Sequence, residues 1–126
     1  MSVAQVPGSI KQMKAIRGAT TADENTVEAV SGATKALIGE ILMQNGLDAG
    51  KILFAVFSCT KDLTAAYPAK FAREMGFENV PMMCVQEMDV ENSLEKCVRV
   101  LLAADTDRPV KHIYTKGAIN LRMDLR

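Results

Sequence analysis

Residues 96–103 read KCVRVLLA. The length and apolar character of this stretch fit either a helix or a strand, so the choice between the two bears most on the predicted fold. Val98, Val100 and Leu102 occupy alternate positions. This period-two pattern of branched residues favours a strand. We therefore predict a strand that carries one charged residue, Arg99, inside an apolar run.

A second charge stands in similar company. Glu87 follows the apolar segment 80–85. Removing a charge from water costs several kcal/mol, so a charge in an apolar setting needs a partner or a ligand. Glu87 and Arg99 either pair with each other or each meet a separate group, and the residues alone leave both alternatives open.

The elements on either side are of both kinds. Helical spacing of apolar residues predicts a long helix over residues 24–45, and Pro68 and Gly76 bracket a shorter helix over 68–75. The other predicted elements are strands over 13–17, 51–58, 80–86 and 112–114, a helical turn beginning at 92–93, a turn over 105–109 and an extended tail over 118–121. Mixed elements indicate an α/β (α+β) fold, a mixed sheet with one long helix.

Composition sets further limits. The chain has 126 residues, 48% of them hydrophobic, and no Trp, which fits one domain with an aliphatic core. We predict a flexible extension over residues 1–12 and a single domain over 13–126. Lys plus Arg and Asp plus Glu both number 15, so charge gives no reason to expect nucleic acid or a membrane surface as partner.

Cysteine and histidine usage argues against several kinds of site. Three cysteines without C-x-x-C spacing suggest free thiols in a reducing cytoplasm. A single His disfavours a histidine metal site and a Ser-His-Asp triad, and the glycine-rich phosphate loops are absent. We therefore expect no metal and no cofactor.

The residues that could bind a ligand are mainly arginines. Arg17, Arg99 and Arg122 lie near predicted strand ends, and converging guanidinium groups would suit a small ligand with more than one carboxylate. Tyr67 and Tyr114 could form pocket walls, although tyrosines of this kind more often belong to a core. From the residues alone, the sequence indicates a small cytosolic α/β protein with a candidate anion pocket.

Several separate motifs, in order, resemble the monofunctional chorismate mutases of the trimeric pseudo-α/β-barrel family. The resemblance runs from Met13 to about Leu125 and rests on the segments 16–21 (IRGATT), 67–73 (YPAKFAR), 84–89 (CVQEMD), 97–99 (CVR), the strand of Tyr114, and 121–122 (LR). It implies an isomerase that rearranges chorismate to prephenate in phenylalanine and tyrosine biosynthesis. It also implies a homotrimer with active sites at subunit interfaces.

The resemblance also implies roles for individual residues. Arg99 would face the breaking ether bond, and Glu87 would accept from the ring hydroxyl near Cys84. Arg17 would bind a carboxylate with help from Tyr114. The remaining positions are Met83 in the wall, where Thr is common in the family, Leu121 and Arg122 in a closing tail, and Tyr67 (often Phe), Ala69, Lys70 and Arg73 from the neighbouring subunit.

Two other functions fit parts of the pattern. A non-catalytic module that binds a small dicarboxylate would need only the arginines. An enamine or imine hydrolase on a similar trimeric fold would need a positioned water and an acid-base group, a task that Glu87 could serve. The presence of both the Glu87 and the Arg99 motifs favours the mutase.

Overall fold

The computed structural model describes residues 12–125, which contain a sheet of five strands. The strands are β1 (Met13–Thr21), β2 (Ile52–Cys59), β3 (Met82–Gln86), β4 (Cys97–Asp105) and β5 (Ile113–Tyr114). Their order is β3-β2-β4-β1-β5, with β4 antiparallel to both neighbours and the outer pairs β2–β3 and β1–β5 parallel. The predicted mixed sheet is confirmed, and the strand predicted at 96–103 is its central strand.

Helix α1 (Val27–Gln44) is the long helix expected from the apolar spacing. It begins at Thr26, whose hydroxyl accepts a hydrogen bond from the Ala29 amide at 3.1 Å. The predicted start at residue 24 was early because this cap comes after the acidic residues. Helix α2 (Pro68–Ala72) starts at a proline, and the wider turn that follows at Arg73–Phe77 is broken at Gly76, whose φ of 104° is not helical.

The carboxyl end of α1 is tied to the chain that leads into β5. The buried Asn45 side chain donates from Nδ2 to the carbonyl oxygens of Ile41 at 2.9 Å and Lys111 at 3.0 Å, and its Oδ1 accepts from the Lys111 amide at 2.7 Å. One side chain therefore caps the helix and fixes the position of the segment that contains His112 and Tyr114.

One face of the sheet is covered by the helices and holds the main core. The buried residues on it include Ile16, Phe57 and Leu102, which pack with Leu37 and Ile38 of α1 and other apolar side chains. At Gly18, an added Cβ would lie 2.8 Å from the Ile41 Cδ1, so a larger residue would displace the side chains with which α1 packs on β1.

The opposite face, here called the uncovered face, carries apolar side chains that no helix of residues 12–125 covers, although the tail packs on it around Ala19 and Cys97. Phe54, Met83, Val85 and Leu101 share this face by strand register, and each is at least 40% exposed. A one-sided sheet normally presents polar residues to water, and a patch of exposed apolar residues marks an interaction surface.

Three local predictions were wrong or incomplete. β1 continues through Gly18 to Thr21, beyond the predicted end at 17, because it pairs with β4 along its whole length. Residues 92–93 form a turn without a helix, and the tail contains 3-10 turns at Lys116–Ala118 and Met123–Leu125. Ala118 is buried, and its packing folds the tail back onto the sheet.

The predicted extension at 1–12 lies outside the described residues except for Gln12. Its amide donates to the Asp105 carboxylate at 3.3 Å, and its carbonyl accepts from Thr106 at 3.0 Å. Within residues 12–125, no helix has the length and apolar character needed to cross a membrane.

Candidate active site

Strand register brings Arg99 and Glu87 together on the uncovered face. Arg99 lies opposite Ser58 of β2 and Ala19 of β1. Glu87 directly follows β3, and its amide donates to the Cys59 carbonyl at 2.8 Å, one step beyond the assigned strand. Because β2 separates β3 from β4, the two charged side chains approach each other across the end of β2.

The two charges form an ion pair. The Arg99 Nε lies 3.1 Å from the Glu87 Oε2, and each side chain is 29% exposed. The N–H is not aimed at that oxygen, however, so the buried Nε has no hydrogen-bond partner. The pairing alternative is confirmed as a charge contact, while the Nε–H itself makes no hydrogen bond.

Two further donors hold the Glu87 carboxylate. The Ser58 hydroxyl donates to Oε2 at 3.0 Å, and the Met88 amide donates to Oε1 at 3.0 Å. A carboxylate can accept about four hydrogen bonds. The side chain is therefore fixed by the protein and can still accept from another group.

Arg17 occupies the same face, diagonal to Arg99 across the β1–β4 pair, since its direct partner is Leu101. Its amide donates to the His112 Nδ1 at 3.0 Å. Burial lowers the pKa of His112, and the positive charges of Arg17 and Arg122 lower it further. His112 is therefore a neutral acceptor where the fields of two arginines converge.

This arrangement predicts a pH effect on stability. The pKa of His112 is lower in the folded chain than in the unfolded chain, where it is about 6.5. The unfolded state therefore binds more protons in this window. The stability that neutral His112 contributes is complete above pH about 6.5 and is lost as the pH falls through the folded-state pKa.

The measurement is urea unfolding at fixed protein concentration across the range pH 5 to 8, roughly where an ordinary histidine titrates. His112→Asn keeps an acceptor near the Nδ1 position without titrating there. We expect the free energy of unfolding to decline less with acidification in the variant than in the parent. Identical pH dependence of the two proteins would contradict the assignment.

Tyr114 lies beside Ala19 in the β1–β5 register, on the same face as Arg99. It is buried in a small cluster with Ala19, Cys97 and Ala118, against which Leu121 packs. Its hydroxyl is buried without a hydrogen-bond partner. Like the Arg99 Nε, it is a polar atom in the interior that a ligand could satisfy.

Arg122 is held by Asp124 in a fork of two hydrogen bonds, from Nε to Oδ1 at 3.0 Å and from Nη2 to Oδ2 at 2.9 Å. The hydrogen bond to Asp124 is the main reason that the pKa of Arg122 is raised. The pair is exposed at the end of the tail. The Arg122 charge nevertheless lowers the pKa of His112 together with the charge of Arg17, which places Arg122 near Arg17.

The structure separates Met83 from Cys84. Met83 is 59% exposed on the uncovered face, whereas Cys84 lies at the register of Phe57 and packs against the main core. The Cys84 side chain therefore lies on the opposite face of the sheet from Glu87, and its place near the ring hydroxyl stays a prediction. The Pro81 carbonyl and the Glu87 amide both bond to β2, so the intervening Cys84 amide faces the free edge of the sheet.

The residues predicted to serve a neighbouring subunit lie on the helix-covered side. Tyr67, Lys70 and Arg73 are exposed on or beside α2, and no described contact joins them to the charges of the uncovered face within residues 12–125. Ala69 differs, because it is 6% exposed and belongs to the core. Tyr67 and Lys70 line a cavity of about 550 Å³ at the free edge of β3.

Three residues at the site were not singled out from the sequence. Ser58 is the first polar residue after the apolar run 52–57, and His112 is the only histidine, two positions before Tyr114. Asp62 accepts from the Lys96 amide at 2.9 Å and so fixes the chain just before β4. The signal for Ser58 and His112 was a polar residue at the end of a strand, and for Asp62 an acidic residue in the loop after β2. These signals become specific only when the strand order is known.

Known proteins resemble the chain over nearly its whole length. The family model of chorismate mutase type I matches residues 13–125. The chorismate mutase AroH of Thermus thermophilus is 42% identical over 117 residues, which cover 90% of this chain and 96% of the relative. The AroH of Bacillus subtilis (strain 168) is 39% identical over 117 residues, with coverage of 90% and 92%.

A solved structure agrees with these matches. The chorismate mutase from Clostridium thermocellum superimposes with a TM-score of 0.81 at 44% identity, covering 83% of this chain and 96% of that one. None of these relatives is a binding module or an enamine hydrolase, so the comparisons favour the isomerase over both alternatives. The chain belongs to the chorismate mutase type I family of isomerases.

Proposed function

We propose that the protein rearranges chorismate to prephenate on the uncovered face, with Arg99, Glu87 and Arg17 as catalytic residues. One observation carries this assignment. Of the three buried side-chain polar atoms without a hydrogen-bond partner in residues 12–125, two are the Arg99 Nε and the Tyr114 hydroxyl. Such atoms are rare in folded proteins, and here both lie on the face that carries Arg17, Glu87 and Arg99.

The reaction sets simple requirements. In one cyclic shift of electrons, the ether C–O bond breaks while a new C–C bond forms, with no proton transfer and no covalent intermediate. The protein has to hold the dianionic substrate in its compact conformer. It also has to stabilise the negative charge that grows on the ether oxygen.

Arg99 and Glu87 contact two different groups at the centre of the substrate. The Arg99 guanidinium donates to the ether oxygen, which gives its unsatisfied Nε a partner. Glu87 accepts from the ring hydroxyl with the lone pairs that Ser58 and Met88 leave free. Their separation around a bound substrate remains a prediction, since here the two side chains contact each other.

The other cations bind the carboxylates. Arg17 and Arg122 both act on His112, which supports a shared positive field in this region. Tyr114 adds a hydroxyl donor on the same face as Arg17. Arg122 already binds one carboxylate in a fork, that of Asp124, and exchange of Asp124 for a substrate carboxylate would bring Leu121 and the tail over the site.

We infer that the active protein is a homotrimer. The exposed apolar residues of the uncovered face favour burial against other subunits. In a closed symmetric ring, every subunit would bury the same apolar surface. Tyr67, Lys70 and Arg73 would then complete the site of a neighbour, with Ala69 contributing through its backbone. The free cysteines support a cytoplasmic location.

The direct test follows chorismate absorbance with added chelator and no cofactor. We expect chorismate to disappear and prephenate to form at the same rate. A protein that binds chorismate but returns it unchanged would refute the proposed reaction and restore the binding-module hypothesis. A heat-treated sample serves as the control for spontaneous rearrangement.

A further inference from the structure

We propose that Ser58 is a positioning residue for catalysis, because its hydroxyl holds the Glu87 carboxylate in place. This inference rests on the proposed role of Glu87. The Ser58 Oγ donates to the Glu87 Oε2 at 3.0 Å, and that oxygen also lies 3.1 Å from the Arg99 Nε. One carboxylate oxygen thus has a neutral donor and a cation beside it.

The neutral donor matters when the ion pair opens. If Arg99 turns to the ether oxygen of the substrate, Oε2 loses its cation. Ser58 then remains as the side-chain donor to that oxygen, while the Met88 amide still holds Oε1. With a donor on each oxygen, the carboxylate keeps its orientation for the ring hydroxyl.

The fold gives Ser58 a firm base for this task. It lies in β2 between the two strands that supply the charges, opposite Arg99 on one side and Val85 on the other. The next hydroxyl along the chain cannot replace it. The Thr60 Oγ1 donates to Asp62 and accepts from the Cys97 amide, so both its donor and acceptor functions are in use.

The test combines Ser58→Ala and Glu87→Gln in a double-mutant cycle with steady-state kinetics. We expect Ser58→Ala to lower kcat/KM about tenfold, the effect of losing one hydrogen bond to a charged group. In the Glu87→Gln background the same substitution should have a clearly smaller effect, because the amide oxygen that replaces the carboxylate is a neutral and weaker acceptor for the Ser58 hydroxyl. Combined with Arg17→Ala, its effect should be nearly additive.

A matched pair separates the hydroxyl from shape. Ser58→Thr and Ser58→Val have nearly the same volume and both suit a strand, but only Thr keeps the hydroxyl. We expect Thr to retain most activity and Val to resemble Ala, with similar melting temperatures for both. Ser31→Ala, in the distant helix α1, controls for loss of a serine hydroxyl elsewhere.

The outcomes distinguish two failures. Normal kinetics in Glu87→Gln would overturn the role of Glu87 and the positioning proposal with it. A large effect of Glu87→Gln, with Ser58→Ala either silent or equally damaging in both backgrounds, would overturn the positioning proposal alone. Equal activity of the Thr and Val variants would also overturn it.

Discussion

Arg99→Ala is expected to lower kcat by about 10²–10³-fold, because it removes a preorganised hydrogen-bond donor to the ether oxygen. The loss should fall on kcat more than on KM, since charge develops on that oxygen only as the bond breaks. Turnover of chorismate under saturating conditions is the measurement. Near-normal turnover would refute the electrostatic role of Arg99.

The variant should still fold. Arg99 is not a deeply buried charge, and Glu87 keeps the Ser58 and Met88 donors when the arginine is removed. Breaking a partly exposed pair therefore costs far less than breaking a fully buried one. Arg108→Ala, in the exposed loop before β5, is the matched control and should leave both turnover and melting temperature unchanged.

The ion pair explains how a partly buried arginine is tolerated at this site when no substrate is bound. Glu87 lies close enough to offset the guanidinium charge, yet the Nε–H is not directed at the carboxylate. A substrate oxygen can therefore gain a hydrogen bond that the protein does not make. The charge contact with Glu87 lowers the free-energy cost of partly burying the Arg99 guanidinium. The Nε–H stays available to donate a hydrogen bond to the substrate as the reaction proceeds.

The sequence was a good guide to the elements and a poorer guide to their faces. Alternation around Arg99 identified the central strand, and apolar spacing identified α1, because both patterns are local. The face of Cys84 could not be judged from the motif that contains Glu87. Neighbouring residues of a strand point to opposite sides, and a motif read as a string hides that alternation.

Contacts across the sheet could not be predicted from the sequence, for a different reason. The Ser58–Glu87 and Arg17–His112 hydrogen bonds join residues 29 and 95 positions apart. Their meeting depends on the strand order, with β2 beside β3 and β5 beside β1. Without that order, a serine at a strand end and a lone histidine do not stand out from other polar residues.

The proposed division of the site between subunits predicts recovery of activity when two damaged proteins are combined. Arg99→Ala disables the uncovered face, and the double change Lys70→Ala with Arg73→Ala disables the helix-covered side. Each variant alone should be nearly inactive. After joint unfolding and refolding in equal amounts, about a quarter of the sites in a randomly mixed trimer should combine two intact halves.

Recovery to about a quarter of the parent activity therefore requires that each site draw on two chains. The matched control combines Arg99→Ala with Glu87→Gln, both on the uncovered face, and should recover nothing because every site then carries one lesion. Sedimentation should give the mass of three chains in both mixtures. If the first mixture stayed inactive at that mass, Lys70 and Arg73 would not complete a neighbour's site. If the control recovered, Arg99 and Glu87 would belong to different sites, which their contact across β2 argues against.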